Sequence, residues 1–526
     1  MKSKLGKLTR LIQQRLGNTP DSAALNALAA RYWDVTASET ITKRSAAELL
    51  DIVQSHLALA ESRRADNPKI RISPPIDSGV LILEMVAKDQ PFIFDTLSSL
   101  MYDAGYTVIL SNHPIFWVCR DKRGKLLDIV ALDRKQQQHT DYHAESFVRY
   151  ELEAGPSAIS PNRLKQRIRK ALDTIALIVT HWQPMREKAK SLQQYYSQSP
   201  APMKARARRQ VCNFLSWLTD NNLTFLAYVE MQLRQQGDKC SLHAVESSRL
   251  GLKLESTPWE HIESPQQREQ ILAHYLNSPR VLTITKSSEL APIRRFVPMD
   301  YIAIKDYNAK GELIGEHRFY GLMTRAAYNS RALDIPLLAD RIHAAMNLAH
   351  FPPGSHNGKV MLQILETFPR DELFQSSAKK LFEIAMGLIA IEEQNRVRVF
   401  SRTDPFHRYY SILVYIPREQ YSQHVREKIQ TLISAKLNAY SSDFSIYFTD
   451  NRMARLHLIV QVGTDEKKNL DNAAIEELIC GVTESWQEKL KSVLYNNYPR
   501  KTAQQLYQRY ADAFTAPYIA KTEIKK

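Results

Sequence analysis

A strand, a short loop and an amphipathic helix follow one another between residues 80 and 105, and this order constrains the fold around them. Val80–Val86 is an almost unbroken apolar run of strand length. Pro91 suits the first turn of a helix, where its missing N–H is not needed. Apolar residues then recur at helical spacing, and Gly105 stands where a helix typically ends. The segment therefore predicts a β-strand packed against an α-helix.

Strand patterns continue after this helix and end at a second helix. The strand-like segments are Tyr106–Leu110, Ile115–Val118, Leu126–Leu132 and Phe147–Leu152. The second helix is predicted to begin near Ser160-Pro161, because serine is a good N-cap residue. The order of strand, helix, strands and helix predicts a small α+β sandwich of the ferredoxin-like kind.

A second region carries strand patterns with only a few helices. The strand-like segments are Leu223–Leu233, Val281–Thr285, Tyr301–Tyr307 and Glu312–Met323. A hairpin turn between the last two is predicted from Asn308-Ala309-Lys310-Gly311. These features predict a mixed, sensor-like α+β domain that resembles a PAS fold.

A third α+β pattern follows a helical stretch. Its strand-like segments are Val397–Phe400, Tyr410–Ile416, Phe444–Phe448 and Leu456–Val462, with a helix from Val425 to Leu437. Its size and its element types resemble those of the first unit, whereas its element order is predicted to differ.

The chain carries a net charge of +15, concentrated in residues 163–190 and 204–209. Nucleic-acid binding is one interpretation of such basic stretches. The other is a solvated helix face, and it is favoured because apolar residues recur at helical spacing between the charges. These residues are Leu164, Ile168, Leu172, Ile175 and Val179. No RNP motif, helix-turn-helix signature or zinc finger accompanies the charge.

Nothing in the sequence predicts a membrane span or a secretory signal. The apolar runs have strand length, and the basic N-terminus lacks an apolar h-region. An amphipathic N-terminal helix that touches a membrane stays open beside the ordinary helix that we favour. The four cysteines are scattered without a CxxC pair, which disfavours disulfides and zinc and predicts a cytoplasmic protein.

Known catalytic and cofactor motifs are missing from the sequence. Among 16 glycines no GxG occurs, so a dinucleotide-binding turn is not predicted. Gly354 and Gly358 precede Lys359, but this spacing is one residue too short for a P-loop and favours a tight turn. His139 and His143 lack the adjacent glutamate of a zinc protease motif. The sequence therefore predicts no catalytic, cofactor-binding or metal-binding residue.

One long stretch resembles a known family. Residues 351–359, continuing through Ile364–Gln375, are similar to a signature of the large bacterial NAD-dependent glutamate dehydrogenases. Further similar segments are Asp300–Lys305, Glu316–Thr324, Asp404–Arg418 and Ala454–His457. The resemblance covers nearly the whole chain and is weaker in the first sixty or so residues.

The resemblance implies a multidomain α+β architecture of ACT-like modules, which are ferredoxin-like, with a PAS-like domain and helical linkers. The implied organisation is an N-terminal helical segment at 1–65, a first ACT-like domain at 70–190, a PAS-like α+β domain at 200–350, a helical connector with the family signature at 351–394, a second ACT-like domain at 395–465 and a C-terminal helical segment at 466–526. It also implies a homo-oligomer, NAD as the cofactor of the complete enzyme and a catalytic domain later in a longer chain. This chain is thus expected to be the N-terminal regulatory and oligomerisation region, with the catalytic portion as its partner.

ACT modules bind small effectors, often amino acids, at the loop after their first strand. The resemblance places Asp89, Gln90 and Phe92 at that position. Backbone N–H groups at the start of the following helix could receive an effector carboxylate. In the structural alternative, which we favour, Asp89 and Gln90 only cap the helix, Phe92 belongs to the core, and the module serves assembly.

Two other functions compete with the regulatory one. A stand-alone amino-acid sensor would bind an effector without any dehydrogenase partner. A basic nucleic-acid-binding protein would show steeply salt-dependent binding. Dehydrogenase activity of this chain alone is disfavoured, because the sequence contains no recognisable cofactor site.

Overall fold

The computed structural model contains three antiparallel sheets flanked by helices. It describes residues 2–17, 19–34, 36, 41–64, 67–73, 79–130, 141–198, 203–236, 239–254, 264–392, 396–449, 453–462, 470–483, 486–515, 518 and 524. The sheets follow one another along the chain, each with helices of its own. The predicted α+β class is confirmed.

The first sheet belongs to an N-terminal module, whose described residues include five helices and six strands. Its helices are α1 (Lys2–Leu16), α2 (Pro20–Asp34), α3 (Ala46–Ala60), α4 (Ile93–Asp103) and α5 (Pro161–Gln198). Its strands are β1 (Lys69–Ser73), β2 (Val80–Lys88), β3 (Tyr106–Asn112), β4 (Ile115–Arg120), β5 (Leu126–Val130) and β6 (His143–Ala154). The order across the sheet is β1-β2-β6-β4-β5, and β3 also pairs with β6.

Both faces of this sheet are covered. Helices α4 and α5 bury Leu97 and Ile168 in a core with residues of β2 and β6. On the opposite face, helices from the N-terminal segment bury Trp33 against Phe116 and Phe147. Strand β2 is therefore central, which is why its sequence is a nearly continuous apolar run.

The middle domain is a six-stranded sheet with helices α6 (Ala205–Trp217) and α7 (Pro265–Asn277). Its strands are β7 (Leu223–Gln236), β8 (Lys239–Ala244), β9 (Leu250–Gly251), β10 (Leu282–Leu290), β11 (Pro298–Tyr307) and β12 (Leu313–Met323). The order is β10-β11-β12-β7-β8, with β9 beside β7. The predicted hairpin is confirmed, since Gly311 N donates to Asn308 O at 2.9 Å between β11 and β12.

Five helices connect the middle domain to the last module. They are α8 (Arg325–Asn329), α9 (Leu338–Ala349), α10 (His356–Glu366), α11 (Arg370–Gln375) and α12 (Ala378–Glu392). Gly354 has a φ of 76° in a turn before α10, and the Ser355 side chain accepts from Gly358 N at 3.2 Å. The glycine pair therefore forms a turn and a helix cap, as the tight-turn interpretation predicted.

The last module repeats part of the topology of the first. Its elements are β13 (Arg398–Thr403), β14 (Tyr409–Pro417), α13 (Gln423–Lys436), β15 (Ala439–Phe448), β16 (Met453–Val462) and α14 (Asn472–Thr483), followed by α15 (Trp486–Asn497) and α16 (Arg500–Tyr510). The sheet order β13-β14-β16-β15 matches β1-β2-β6-β3 of the first module. The predicted difference in element order is therefore wrong for these four strands, and the first module differs by the additional strands β4 and β5.

The element order of the first module was mispredicted because its sequence pattern does not reveal strand β1. Lys69–Ser73 alternates charged and apolar residues over five positions, directly before a proline-rich segment. The strand is short and forms the edge of the sheet, so its apolar pattern is weak. It pairs antiparallel with β2, with Arg71 opposite Glu84.

The basic helix α5 has the predicted amphipathic arrangement. Leu164, Ile168 and Ile175 are fully buried, whereas Arg163 and Arg169 are exposed. The charged side chains of this segment thus line the solvated face of a helix whose apolar face packs into the core.

Candidate functional site

The predicted effector residues lie in the loop between β2 and α4. Asp89 continues the edge of the sheet, because its N–H donates to Ala144 O at 2.9 Å. Its carboxylate accepts from Ser146 Oγ at 2.6 Å rather than capping α4. Gln90 is half-buried and makes no hydrogen bond with another described residue. The alternative that these two residues cap the helix is therefore not what the structure shows.

Phe92 precedes the first residue of α4 in an unusual backbone conformation. Its φ is 76°, in the left-handed region that non-glycine residues rarely adopt. The Phe92 side chain makes no capping hydrogen bond with the start of α4. The Phe92 ring is partly buried against the core, as the structural alternative expected. The first N–H groups of α4 thus face the loop without a side-chain acceptor among the residues that the structure describes.

A small polar and aromatic cluster adjoins Asp89. Ser146 Oγ lies 2.9 Å from His113 Nε2, and the His113 ring stacks on Phe94 at 5.4 Å between centroids. Burial lowers the pKa of His113, and the nearby Asp89 carboxylate raises it in part. Asp89, Ser146 and His113 are thus linked by side-chain contacts beside the loop.

A residue of the middle domain covers this loop. Arg294, between β10 and β11, lies with its guanidinium 5.4 Å from the centre of the Phe92 ring. Its backbone N–H donates to Thr96 Oγ1 at 2.9 Å, and its carbonyl accepts from Ser99 Oγ at 2.5 Å. Its Nη1 donates to Thr224 Oγ1 at 2.6 Å. The candidate effector loop is therefore part of the contact between the first module and the middle domain.

The sequence alone does not indicate Arg294 as a residue of this site. It stands in an Arg-Arg pair inside a loop, and its φ of 64° is as unusual as that of Phe92. Nothing local in the sequence connects residue 294 with residue 92, because the contact depends on the packing of two domains.

A second polar cluster joins the middle domain to the last module, and we call it the polar junction. It consists of Thr285, Glu372, Gln375, Arg402, Asp404, Arg408, Tyr409 and Ser411. Arg402 donates to both oxygens of Glu372 at 2.9 and 2.7 Å. Glu372 is 2% exposed, and Arg402 lowers the pKa of this carboxyl to about 2 despite its burial.

A second arginine–carboxylate pair lies in the polar junction. Arg408 donates to both oxygens of Asp404 at 2.8 and 2.9 Å, and Thr285 Oγ1 donates to Asp404 at 2.9 Å. Tyr409 Oη donates to Gln375 at 3.0 Å. Glu372 and Gln375 come from the stretch that resembles a family signature, so that stretch bridges two domains.

The junction contains a serine, a histidine and a glutamate but does not form a hydrolytic triad. Ser411 Oγ donates to Glu372 Oε1 at 2.7 Å and accepts from His457 Nε2 at 2.8 Å. A catalytic triad instead has the carboxylate behind the histidine, which then accepts the serine proton. All three side chains are buried, so the arrangement serves packing between the domains.

No grouping of potential metal ligands occurs among the described residues. His143 lies 3.0 Å from Glu145 in an ion-pair cluster with Arg63 and Arg120. The other histidine of the predicted pair, His139, lies outside the described residues. The helices in the described parts of the chain include none long and apolar enough to cross a bilayer.

Three parts of the chain match families of glutamate dehydrogenase domains. Residues 28–168 match the glutamate dehydrogenase ACT1 domain, residues 335–394 match helical motif 1, and residues 398–487 match the ACT2 domain. All three families are named for parts of glutamate dehydrogenase. The ACT1 match begins within α2, so it includes helices that cover the back of the first sheet, and helical motif 1 includes Glu372 and Gln375 of the polar junction.

Whole-chain relatives agree with these domain matches. The chain is 28% identical over 528 residues to the NAD-specific glutamate dehydrogenase of Halomonas elongata, covering 98% of this chain and 32% of the relative. It is 28% identical over 496 residues to that of Pseudomonas aeruginosa, covering 93% of this chain and 30% of the relative. A 26% identical match to that of Mycobacterium tuberculosis covers 72% of this chain and 22% of the relative. The chain spans about a third of the first two glutamate dehydrogenases.

Proposed function

We propose that this chain is the N-terminal regulatory and assembly region of an NAD-dependent glutamate dehydrogenase. Oxidation of L-glutamate to 2-oxoglutarate and ammonium, with reduction of NAD to NADH, would be carried out by a catalytic portion outside these 526 residues. Two domain matches to glutamate dehydrogenase ACT domains support this assignment. So does the absence from the sequence of the closely spaced glycines that a dinucleotide requires.

The regulatory part of the proposal depends on the loop before α4. An amino-acid carboxylate would meet the uncapped N–H groups of this helix, and Gln90 would donate to it from the side. The observation that carries the proposal is the contact of Arg294 with Phe92 in this loop. This contact joins the first module to the middle domain. A ligand that changes the conformation of the loop would therefore change how these two domains pack against each other. Effector binding and domain arrangement would then be coupled reciprocally.

The middle domain would serve as a PAS-like module in this scheme. In its antiparallel sheet the first strand, β7, lies between the second strand and the last one, β12. This strand order supports the PAS-like assignment. Its role would be to hold the two ACT-like modules at a fixed distance through Arg294 on one side and the polar junction on the other.

Assembly as a homo-oligomer is also part of the proposal. Strand β15 forms an edge of the last sheet, and four of its aromatic side chains are exposed. They are Tyr440, Phe444, Tyr447 and Phe448. An unpaired edge with exposed aromatic residues is suited to association with a second copy. A reducing, cytoplasmic location agrees with the four cysteines, all of which are free thiols.

The coding DNA downstream of the codon for Lys526 provides the first test. We expect an open frame that continues into a glycine-rich dinucleotide-binding domain, and the joined product should form NADH from L-glutamate and NAD. A downstream sequence without such a domain would favour the stand-alone sensor. NADH formation by the pure 526-residue chain would contradict the proposal.

Calorimetric titration of the 526-residue chain with each of the common amino acids tests the effector loop. We expect one of them to bind, and Gln90→Ala to weaken that binding. Gln505→Ala, which removes an exposed glutamine from α16, is the matched control and should bind normally. Equal binding by both variants would show that the effector binds at another site.

A further inference from the structure

A cavity of about 320 Å³ lies where the middle domain meets the connecting helices. Its walls come from α6, from the start of β10, from α9 and from the end of α11. The polar residues that line it are Gln210, Arg280, Arg341, Gln375, Ser376 and Ser377. Apolar residues such as Val211 and Leu282 complete the lining. The volume lies at the small end of the range for ligand pockets.

Arg341 brings a positive charge to this cavity, and no counter-ion pairs with it within the ranges that the structure describes. Its Nη1 donates to the carbonyl oxygens of Leu373 and Phe374 at the end of α11. Its Nε and Nη2 make no hydrogen bond with another residue in the described parts of the chain. Burial lowers the pKa of Arg341 to about 10, and the nearby Arg280 guanidinium lowers it further in the same direction. A second positive charge thus lies close to the first.

No carboxylate pairs with either arginine among the described residues. The nearest candidate in sequence, Asp340, instead accepts from Gln210 Nε2 at 2.6 Å. Elsewhere in this protein, buried arginines such as Arg402 and Arg408 are neutralised by bidentate contacts with carboxylates. The cavity therefore contains unneutralised positive charge of a kind that an anionic ligand would stabilise.

Ser376 supplies an independent indication of a ligand. The residue lines the cavity and is 3% exposed, yet its Oγ has no hydrogen-bond partner among the described residues. A buried hydroxyl without a partner is uncommon in folded proteins and requires an explanation. A bound acceptor atom within the cavity would satisfy this hydroxyl.

We propose that this cavity binds a small organic carboxylate, with Arg280 and Arg341 binding the anionic groups and Ser376 Oγ donating a hydrogen bond. The apolar part of the lining favours an anion with a short carbon chain over an inorganic one. This site is separate from the loop before α4 and does not depend on it.

The cavity is placed to affect the last module. Gln375, in its wall, accepts from Tyr409 Oη in the polar junction. Arg341 holds the carbonyl groups at the end of α11, whose first residues include Glu372. An anion that binds to Arg341 and Ser376 therefore stabilises helix α11, which contains Glu372 and Gln375.

Glutarate and its uncharged diamide, glutaramide, are suitable probes because they have the same carbon chain. We expect glutarate to raise the melting temperature of the full chain, and glutaramide or sodium chloride at equal ionic strength to leave it unchanged. Equal effects of glutarate and sodium chloride would overturn the proposal. So would stabilisation by inorganic phosphate with none by glutarate, because the site would then belong to a phosphate ligand.

Two variants connect the binding to the cavity. Arg280 is exposed, so Arg280→Gln should fold normally and weaken glutarate binding about tenfold in calorimetry, as expected for the loss of one charge-assisted contact. Ser376→Ala should weaken binding several-fold without lowering the melting temperature of the ligand-free chain. Arg163→Gln is the control, because Arg163 is an exposed arginine at the far end of α5. Unchanged binding in both cavity variants would refute the site.

Discussion

Replacing Glu372 by glutamine tests whether the polar junction stabilises the packing of the last module against the rest of the chain. The substitution keeps the shape of the side chain but leaves Arg402 buried without its counter-ion. The pKa of the Glu372 carboxyl falls from an ordinary value of 4.5 to about 2, a change that corresponds to about 3 kcal/mol of folding free energy. Loss of one partner from a buried ion pair typically costs about 3–5 kcal/mol, so the two arguments agree.

The pH dependence of this effect has a definite sign. Because the pKa is lower in the folded chain than in the unfolded one, the stabilisation is complete above pH 4.5 and is lost as the pH falls towards 2. The difference in unfolding free energy between the natural chain and Glu372→Gln should therefore shrink from about 3 kcal/mol at pH 7 to about 2 kcal/mol at pH 3.5.

Urea unfolding followed by circular dichroism at these two pH values measures the difference. Glu477→Gln, which removes an exposed carboxylate from α14 in the same module, is the control and should change stability by less than about 0.5 kcal/mol. The double variant Glu372→Gln/Arg402→Gln should cost less than the sum of the single variants, because the two side chains interact directly. A loss below about 1 kcal/mol at pH 7, or an equal loss at both pH values, would refute this reasoning.

Three further outcomes follow from individual contacts. His56 is fully buried as a neutral ring, and burial lowers its pKa from 6.5 to about 4, so stability should fall by up to about 3 kcal/mol between pH 6.5 and 4. In the His56→Gln variant, the free energy of unfolding measured with urea should change less between pH 6.5 and 4 than in the natural chain. Arg294→Ala should increase hydrogen exchange in residues 92–100, measured by mass spectrometry, because it removes the side-chain contact with Phe92, whereas Arg325→Ala on the nearby exposed surface should not. Gly124→Ala should lower the melting temperature measurably, since a Cβ there would lie 2.3 Å from Arg63 O at a φ of 86°.

The first module could be predicted from sequence because its elements have strong local signals. The apolar run of β2, Gly105 after α4 and the apolar face of α5 each reflect a periodicity or a turn that is visible within a few residues. Strand β1 could not be found in this way, because it is stabilised by pairing with β2 rather than by its own composition.

The buried charges could not be predicted for a different physical reason. Glu84 and Glu372 are charged residues, which an isolated sequence pattern assigns to the surface. They are buried because arginines distant in sequence, Arg149 and Arg402, neutralise them in the folded chain. The same holds for Arg341 and Ser376, which meet only after α9 packs against the end of α11. Effector binding by Asp89, Gln90 and Phe92 remains a prediction that binding measurements must decide.

Helix α5 has a mechanical consequence for any signal that passes through this protein. Its 38 residues extend over roughly 57 Å, from the core of the first module to the edge of the middle domain. A rigid rod of that length acts as a lever, so a tilt of about 5° at one end moves the other end by about 5 Å. Movements too small to alter either domain internally can thus become displacements large enough to break or form contacts at the far end.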